Sequence, residues 1–410
     1  MTGDSNKVKV LVLNAGSSSI KSCVYELEHG EDNKPHVEPI WKGQVDLKGE
    51  VAKLTVKVGG EVTSIVEFKN ENIDSGFARL FQELTTHPAN PIAAPEEIHA
   101  VGHRVVHGGE KYFEATKIDD QVIQDLNNLI DLAPSHMPSN LKGIEVAKEH
   151  FPTSVQIAIF DTAFHSTMPD EAIIYATPWE WYQERLIRRY GFHGISHAFC
   201  LSQAALLMKK ETDEMTMINC HLGSGGSLCA IKAGESVMNT MGFTPLEGLV
   251  MGTRSGSIDP GIIFHLLEKQ AYTSDQLERI LNKESGLKGI SGISGDMVEI
   301  QAAAAKEDRR AQLAIEIYVR SVASNIAALM PLLGQIDVLS FAGGIGENSS
   351  SIRSAVVSRL GFLNVRIDEE KNKAASQNLN ISAVNSEVQT LVIHTNEELQ
   401  IARESIQFIE

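Results

Sequence analysis

Leu13-Asn14-Ala15-Gly16-Ser17-Ser18-Ser19-Ile20 and Cys220-His221-Leu222-Gly223-Ser224-Gly225-Gly226-Ser227-Leu228 share one pattern, about half a chain apart. Each joins two apolar runs through a turn of small residues. Val8–Leu13, apolar except for Lys9 and bounded by a turn signal, has the pattern of a fully buried strand, and Ile20–Leu27 returns as its partner. Met215–Cys220 and Leu228–Lys232 repeat that strand, turn, strand order around Gly223–Gly226. The first turn has what a phosphate grip requires. Gly16 permits close backbone approach, the serines and exposed amides are donors, and Lys21 supplies a point charge. It is not a Walker A loop, which needs G-x-x-x-x-G-K-[ST] followed by a helix. Gly-Ser turns also serve as plain connectors, so this pair leaves two readings open: coincidence, or two similar lobes with a nucleotide between them.

Strands and helices alternate outward from these turns. Leu54–Val58, Gly59-Gly60 and Val62–Phe68 read as a hairpin around a two-residue turn. Helical spacing follows at Asp119–Leu132 and at Ser139–His150, with Ser139 as a plausible N-cap. Val155–Phe160 is another buried strand. The second half adds helices at Pro260–Gln270, Ser274–Lys283 and Ala311–Leu332. Strands at Asp337–Phe341 and Leu391–His394 follow, and the last helix is Glu397–Phe408. This is an α/β grammar, and no Pro-rich or low-complexity linker marks a boundary.

Composition narrows the function. With 410 residues the chain has room for two or three domains. Its net charge of −17 argues against nucleic acid or an anionic membrane as the main partner, since both need a basic footprint. The four cysteines form no C-x-x-C pair, so neither a disulfide framework nor a usual structural zinc site is expected, and a reducing cytoplasm fits. The polar start from Met1 to Lys7 gives no targeting segment. Ala311–Leu333 is broken by Glu316 and Arg320, short of the roughly 20 apolar residues that a membrane span requires.

An acidic protein that handles an anion must focus positive charge locally, because screening over roughly 8 Å at physiological salt hides the net charge. Three motifs do so. Gly102-His103-Arg104-Val105-Val106-His107-Gly108-Gly109 sets one arginine in an apolar, glycine-rich frame. Its planar fork suits a carboxylate or phosphate, or else a buried Asp, and the two histidines read equally well as core residues. Arg188-Arg189-Tyr190-Gly191-Phe192-His193-Gly194-Ile195-Ser196-His197 and Met251-Gly252-Thr253-Arg254-Ser255-Gly256 concentrate cations between glycines. Asp161 ends a buried strand, where open α/β sheets bind ligands, although capping of the next turn is an alternative. Phe341-Ala342-Gly343-Gly344-Ile345-Gly346-Glu347 ends a strand in glycines without the spacing of the dinucleotide fingerprint, and suits a nucleotide base or ribose.

Taken in order, NAGSSSIK, GHRVVHGGEKY, FDTAFH, RRYGFHGISH, TPLEGLVMGTRSGSIDP, FAGGIGEN and TNEEL resemble the acetate kinase family from end to end. The resemblance implies a two-lobed actin-like and sugar-kinase (ribonuclease H-like) α/β fold with a duplicated core. The implied lobes are 1–162 with 395–410, and 163–394. It implies a cytoplasmic homodimer, free of nucleic acid and membrane, that moves the γ-phosphoryl group of ATP reversibly to a small carboxylate. Acetate is the expected acceptor, giving acetyl phosphate and ADP, with Mg²⁺, or Mn²⁺ in its place. Propionate or butyrate kinases are the alternative, with a non-catalytic nucleotide-binding protein further behind.

By the same resemblance Asn14 and Glu397 are the metal-associated pair, and Ser17, Ser19 and Lys21 the first phosphate loop. Arg104 and Arg254 hold the carboxylate and the moving phosphoryl group, His193 is the transition-state donor and Asp161 the catalytic acid residue. Val106, Phe192 and Pro245 wall the alkyl pocket. His221, Leu222, Gly223, Ser224 and Gly225, together with Gly343, Gly344, Ile345, Gly346 and Glu347, contact the nucleotide, as do Asp296, Met297 and Val298. Three positions depart from the family. Ser135 stands for a pocket Leu, Ser224 for Asn in HLGNG, and Val298 for Arg in D-x-R.

Overall fold

The computed structural model describes residues 7–16, 18–28, 37–88 and 91–409. The chain forms two compact units, Met1–Phe164 with Asn396–Glu410, and His165–Thr395. The first contains strands β1 (Lys7–Ala15), β2 (Ser19–Glu28), β3 (Trp41–Asp46), β4 (Val51–Val58), β5 (Glu61–Lys69), β6 (Ile98–Val105), β7 (Thr116–Lys117) and β8 (Val155–Phe160). Their order is β5-β4-β3-β2-β1-β6-β8-β7. β1 to β5 run antiparallel to their neighbours, whereas β1, β6 and β8 are mutually parallel.

The second unit contains β9 (Thr216–Leu222), β10 (Gly226–Lys232), β11 (Glu235–Asn239), β12 (Val338–Ala342), β13 (Leu379–Asn380) and β14 (Gln389–Val392), in the order β11-β10-β9-β12-β14-β13. β11, β10 and β9 are antiparallel, and β9, β12 and β14 parallel, with β13 an antiparallel edge. This is β3-β2-β1-β6-β8-β7 repeated strand for strand. The core is duplicated, and the resemblance between the two small-residue turns was the trace of it.

β1 is apolar without a break from Val10 to Leu13 because both of its faces are buried there. Leu11, Leu13 and Ala15 join a core with Phe77, Val101, Val146 and Ala147. Val10 and Val12 point to the opposite face and are fully buried there. The helix Glu397–Ile406 packs on β1 and β6. It lies flat because β6 carries Gly102 at the crossing, where a Cβ would collide with Ser405 Oγ and Ile401.

Local differences from the sequence reading have simple causes. The helix expected from Ser139 starts at Met137, since Pro138 is tolerated in a first turn, so Ser139 is not its cap. The helix expected at Asp119–Leu132 is Asp120–Asn128, capped by Asp119, followed by a separate turn at Ile130–Leu132. Arg309–Leu333 is long and apolar enough to cross a membrane by length and composition. Its Ala311, Ala314, Tyr318, Val322 and Ile326 are instead packed in the core of the second unit.

Candidate active site

In the first unit the parallel strands β1, β6 and β8 end on one edge of the sheet, the edge where ligands bind in open α/β sheets. Asn14 stands at the end of β1, Arg104 near the end of β6, and Asp161 directly after β8. Arg104 Nη2 donates to Asp161 Oδ2 at 3.0 Å, and the Asp161 side chain is only 2% exposed. The Arg104 Nε is buried and has no hydrogen-bond partner among the described residues. The guanidinium is therefore aimed by a fixed carboxylate and still has a donor unused, as a binding arginine requires.

Glu397 opens the last helix. Asn396 caps it by accepting from the Leu399 amide at 3.0 Å, and Tyr25 donates to Asn396 Oδ1 at 3.2 Å. Burial pushes the Glu397 carboxyl up to about 7, with Asp161 and Glu398 adding to the shift and Arg104 and Lys21 opposing it. Burial also lowers the pKa of Arg104, but Asp161 and Glu397 outweigh it and the net shift is upward. Lys21, exposed on β2, is the register partner of Asn14. Asn14, Lys21, Arg104, Asp161 and Glu397 thus belong to one neighbourhood.

Asn140, which the sequence reading missed, ties that edge together. It accepts from the Val106 amide at 3.0 Å and donates to the Ala15 carbonyl at 2.7 Å, linking the ends of β6 and β1. Its signal was a polar residue on the buried face of a helix. Ser19 begins β2, its carbonyl accepting from Gly16 N at 2.8 Å. Ser17 lies outside the described residues. Val106 is buried, whereas Ser135 is exposed in the turn before Met137. His103 and His107 are buried. His103 bonds Gln156 at 2.8 Å, and burial lowers it to about 4.

The second unit builds a different set at the matching edge. His193 precedes the helix Gly194–Met208 in a left-handed conformation, φ +58°. Its ring stacks on His221 with centroids 4.3 Å apart. A Cβ placed on Gly225 would meet Arg254 Nη1 at 3.3 Å and His193 Nε2 at 3.4 Å, so both side chains flank one bare turn. The loop carrying Arg254 is bonded to that turn through Gly252 N and the Ser224 carbonyl at 3.1 Å. Pro245, expected as a pocket wall, also accepts from Arg254 Nη1 at 3.2 Å.

Beside the turn, β12 runs into Gly343, whose φ of +74° admits glycine readily. The short helix Gly343–Asn348 follows, with Gly344 exposed. Glu347 folds back on it, and its Oε1 accepts from Gly343 N at 2.9 Å and from Thr395 N at 3.1 Å. Glu347 is therefore a brace for the glycine segment, and its carboxyl is raised by burial.

Several expected residues are placed less directly. Arg189 is consumed structurally: it donates to the carbonyls of Asn239 and Met241 and pairs with Glu247 at 2.6 Å. Phe192 is 2% exposed, and its carbonyl accepts from Asn239 at 3.1 Å. Asp296 caps its own helix through Val298 N, Met297 lies in the core, and Val298 is exposed. Met297 and Leu222 are both buried, so neither presents its side chain to a ligand.

The sequence model described as "Acetokinase family" matches residues 9–403. The chain belongs to the acetokinase family. Curated relatives include an acetate kinase of Gloeobacter violaceus, 45% identical over 98% of this chain and 100% of the relative. One from Microcystis aeruginosa is 46% identical over 97% and 98%. The crystal structure of Porphyromonas gingivalis acetate kinase superposes with a TM-score of 0.90 at 35% identity, covering 98% of this chain and 100% of that one. A propionate kinase from Francisella tularensis gives 0.89 at 38%, with the same coverage. The acetokinase fold therefore accounts for both units from end to end.

Proposed function

We propose that this acetokinase transfers the γ-phosphoryl group of ATP to acetate, reversibly, forming acetyl phosphate and ADP. The observation that carries this reading is Arg104: a guanidinium fixed by Asp161 at the ligand-binding edge, with a buried Nε left unused. A short carboxylate with a pKa near 4–5 is already ionised at pH 7, so it has no proton to lose and needs no general base. Phosphoryl transfer then depends on positioning and on neutralising charge at the equatorial oxygens. Asp161 orients Arg104 in this scheme. Arg254 and His193 act on the phosphoryl oxygens, the turn 221–225 and the segment 343–347 hold the nucleotide, and Val106 faces the acetate methyl.

The donor chemistry of the first unit suits Mg²⁺. Asn14 offers an amide oxygen and Glu397 a carboxylate that sheds its proton near neutrality. When bound, the ion would neutralise phosphate charge. Two further inferences accompany this reading. The exposed Ile262, Phe264 and Leu267 of the helix Gly261–Glu268 support a homodimer. The four free, buried cysteines suit a reducing cytoplasm.

One experiment tests the function. Acyl phosphate formation is measured with acetate, propionate and butyrate, with and without Mg²⁺. Highest kcat/KM on acetate, abolished by chelation, is expected; a higher value on propionate would replace acetate by the second reading, which the missing Leu at Ser135 favours.

A further inference from the structure

A line of buried polar side chains runs through the core of the second unit to His193. Ser340 on β12 donates its hydroxyl to Asn219 Oδ1 at 2.6 Å. The amide nitrogen of Asn219, on β9, stands 2.8 Å from His197 Nδ1. On its other side His197 Nε2 is 2.8 Å from Ser227 Oγ, and that hydroxyl is 2.9 Å from His193 Nδ1. Ser340, Asn219, His197 and Ser227 are all fully buried.

These distances fix where each proton sits. Ser340 has no other acceptor among the described residues, so reversing the Asn219 amide would strand a buried hydroxyl hydrogen. Asn219 therefore presents N–H to His197 Nδ1, which must accept. Neutral His197 then carries its proton on Nε2 and donates it to Ser227 Oγ. With one lone pair engaged, the buried Ser227 hydroxyl turns its own hydrogen toward His193 Nδ1, its other partner among the described residues. That nitrogen accepts, which leaves the His193 proton on Nε2, the atom beside Gly225 and Arg254.

We propose that the chain Ser340–Asn219–His197–Ser227 locks His193 as a neutral imidazole protonated on Nε2, so that it meets the phosphoryl oxygens as a hydrogen-bond donor. The inference rests on the proposed phosphoryl transfer for its use, but the tautomer is a property of the protein alone. An imidazolium at His193 would need a second proton on Nδ1; Ser227 Oγ would then accept from both imidazoles, and its own buried hydrogen would lose the Nδ1 acceptor, at the cost of a stranded donor. The Arg254 guanidinium also faces the His193 ring, as does the stacked His221, whose Nδ1 is taken up by Ser196 Oγ at 2.8 Å. Burial, with His165 and His221 nearby, holds His197 well below its ordinary pKa, so the link stays neutral across physiological pH. His197, Ser227 and Asn219 are positioning residues, since none is placed against substrate.

The test is nitrogen NMR of the full-length protein with ¹⁵N-labelled histidine at pH 7, read with the kinetics of Ser227→Ala. Native His193 is expected to show an unprotonated Nδ1 and a protonated Nε2. Ser227→Ala should mix its tautomers and lower kcat about ten- to a hundredfold at unchanged KM, less than the 10²–10³ lost when such a donor is deleted. A native His193 protonated on Nδ1, alone or as imidazolium, would overturn the proposal whether or not acetate is the substrate. So would a Ser227→Ala protein with native turnover. Should the variant fail to fold, the native spectrum decides.

Discussion

β1 ends in Asn14 and β9 in His221–Leu222, at matching places in two sheets of one plan. Around the first, the neighbouring strand ends bring an arginine and an aspartate, and the last helix brings a glutamate. Around the second they bring stacked imidazoles, bare glycines and a neutral hydrogen-bonded core. The scaffold fixes where strand ends converge, and single side chains at those ends decide whether the edge holds charge or presents backbone and donors. A charged edge suits an ionised acid and a cation. A glycine edge lets a nucleotide approach the main chain closely.

The sharpest way to break this contrast is to delete one arginine from each edge. Arg104→Ala and Arg254→Ala should each lower kcat by about 10²–10³, the cost of one charge-assisted contact to the transition state. They should differ in stability. Arg104→Ala removes a counter-charge from Asp161 and Glu397, and breaking a buried pair costs about 3–5 kcal/mol, so its melting temperature should fall well below that of Arg254→Ala. Equal thermal stability would show that the first edge is not organised by its ion pair.

Next in size is Glu347→Ala, which removes the acceptor for the Gly343 and Thr395 amides. Each stranded buried donor costs about 1–3 kcal/mol. A raised KM for ATP with an unchanged KM for acetate should follow. A change in the acetate constant alone would reassign the glycine segment.

A pH experiment addresses the charged edge. Glu397 is raised to about 7 in the folded protein, so folding favours its protonated form. Its stabilising contribution is complete below the ordinary carboxylate range and is lost as pH rises through about 7. The melting temperature should therefore drop between pH 5 and pH 8 by more in the native protein than in Glu397→Gln. Mg²⁺ should restore it at pH 8 only where Glu397 is present. Parallel curves for the two proteins would remove Glu397 as the responsive group.

The smallest effect is expected at Ser135→Leu. One methylene in a fitting apolar site is worth roughly 1–3 kcal/mol, so narrowing the pocket should shift kcat/KM toward acetate over propionate by about tenfold. An unaltered ratio would place this exposed turn away from the acid.

What the sequence disclosed divides along the same line. β1, β2, β8, β9, β10, β12 and the Gly59-Gly60 hairpin were legible because apolar periodicity and glycine placement are local signals, whereas β3, β6 and β11 were not read as strands. The helix Gly194–Met208 was not, because it is buried on most sides and carries no stripe of apolar spacing. Arg189 resembled a ligand-binding cation from its neighbours alone, and only its partners on Asn239, Met241 and Glu247 assign it to structure. Asn140, Asn219 and Ser227 are single polar residues among apolar ones. Such positions demand partners, but sequence does not say which.

The break at residue 396 has a consequence in time. The helix that covers β1 and β6 and supplies Glu397 is made only after every residue of the second unit. On a ribosome delivering about 5–20 residues per second, the intervening segment can mature while the first sheet still waits with one face bare. Gly102, flat and uncovered until then, keeps a seat for the last helix. The acidic end of that helix arrives with it, so a chain interrupted before residue 396 lacks a carboxylate of the charged edge. Synthesis itself withholds that edge until the final stretch emerges.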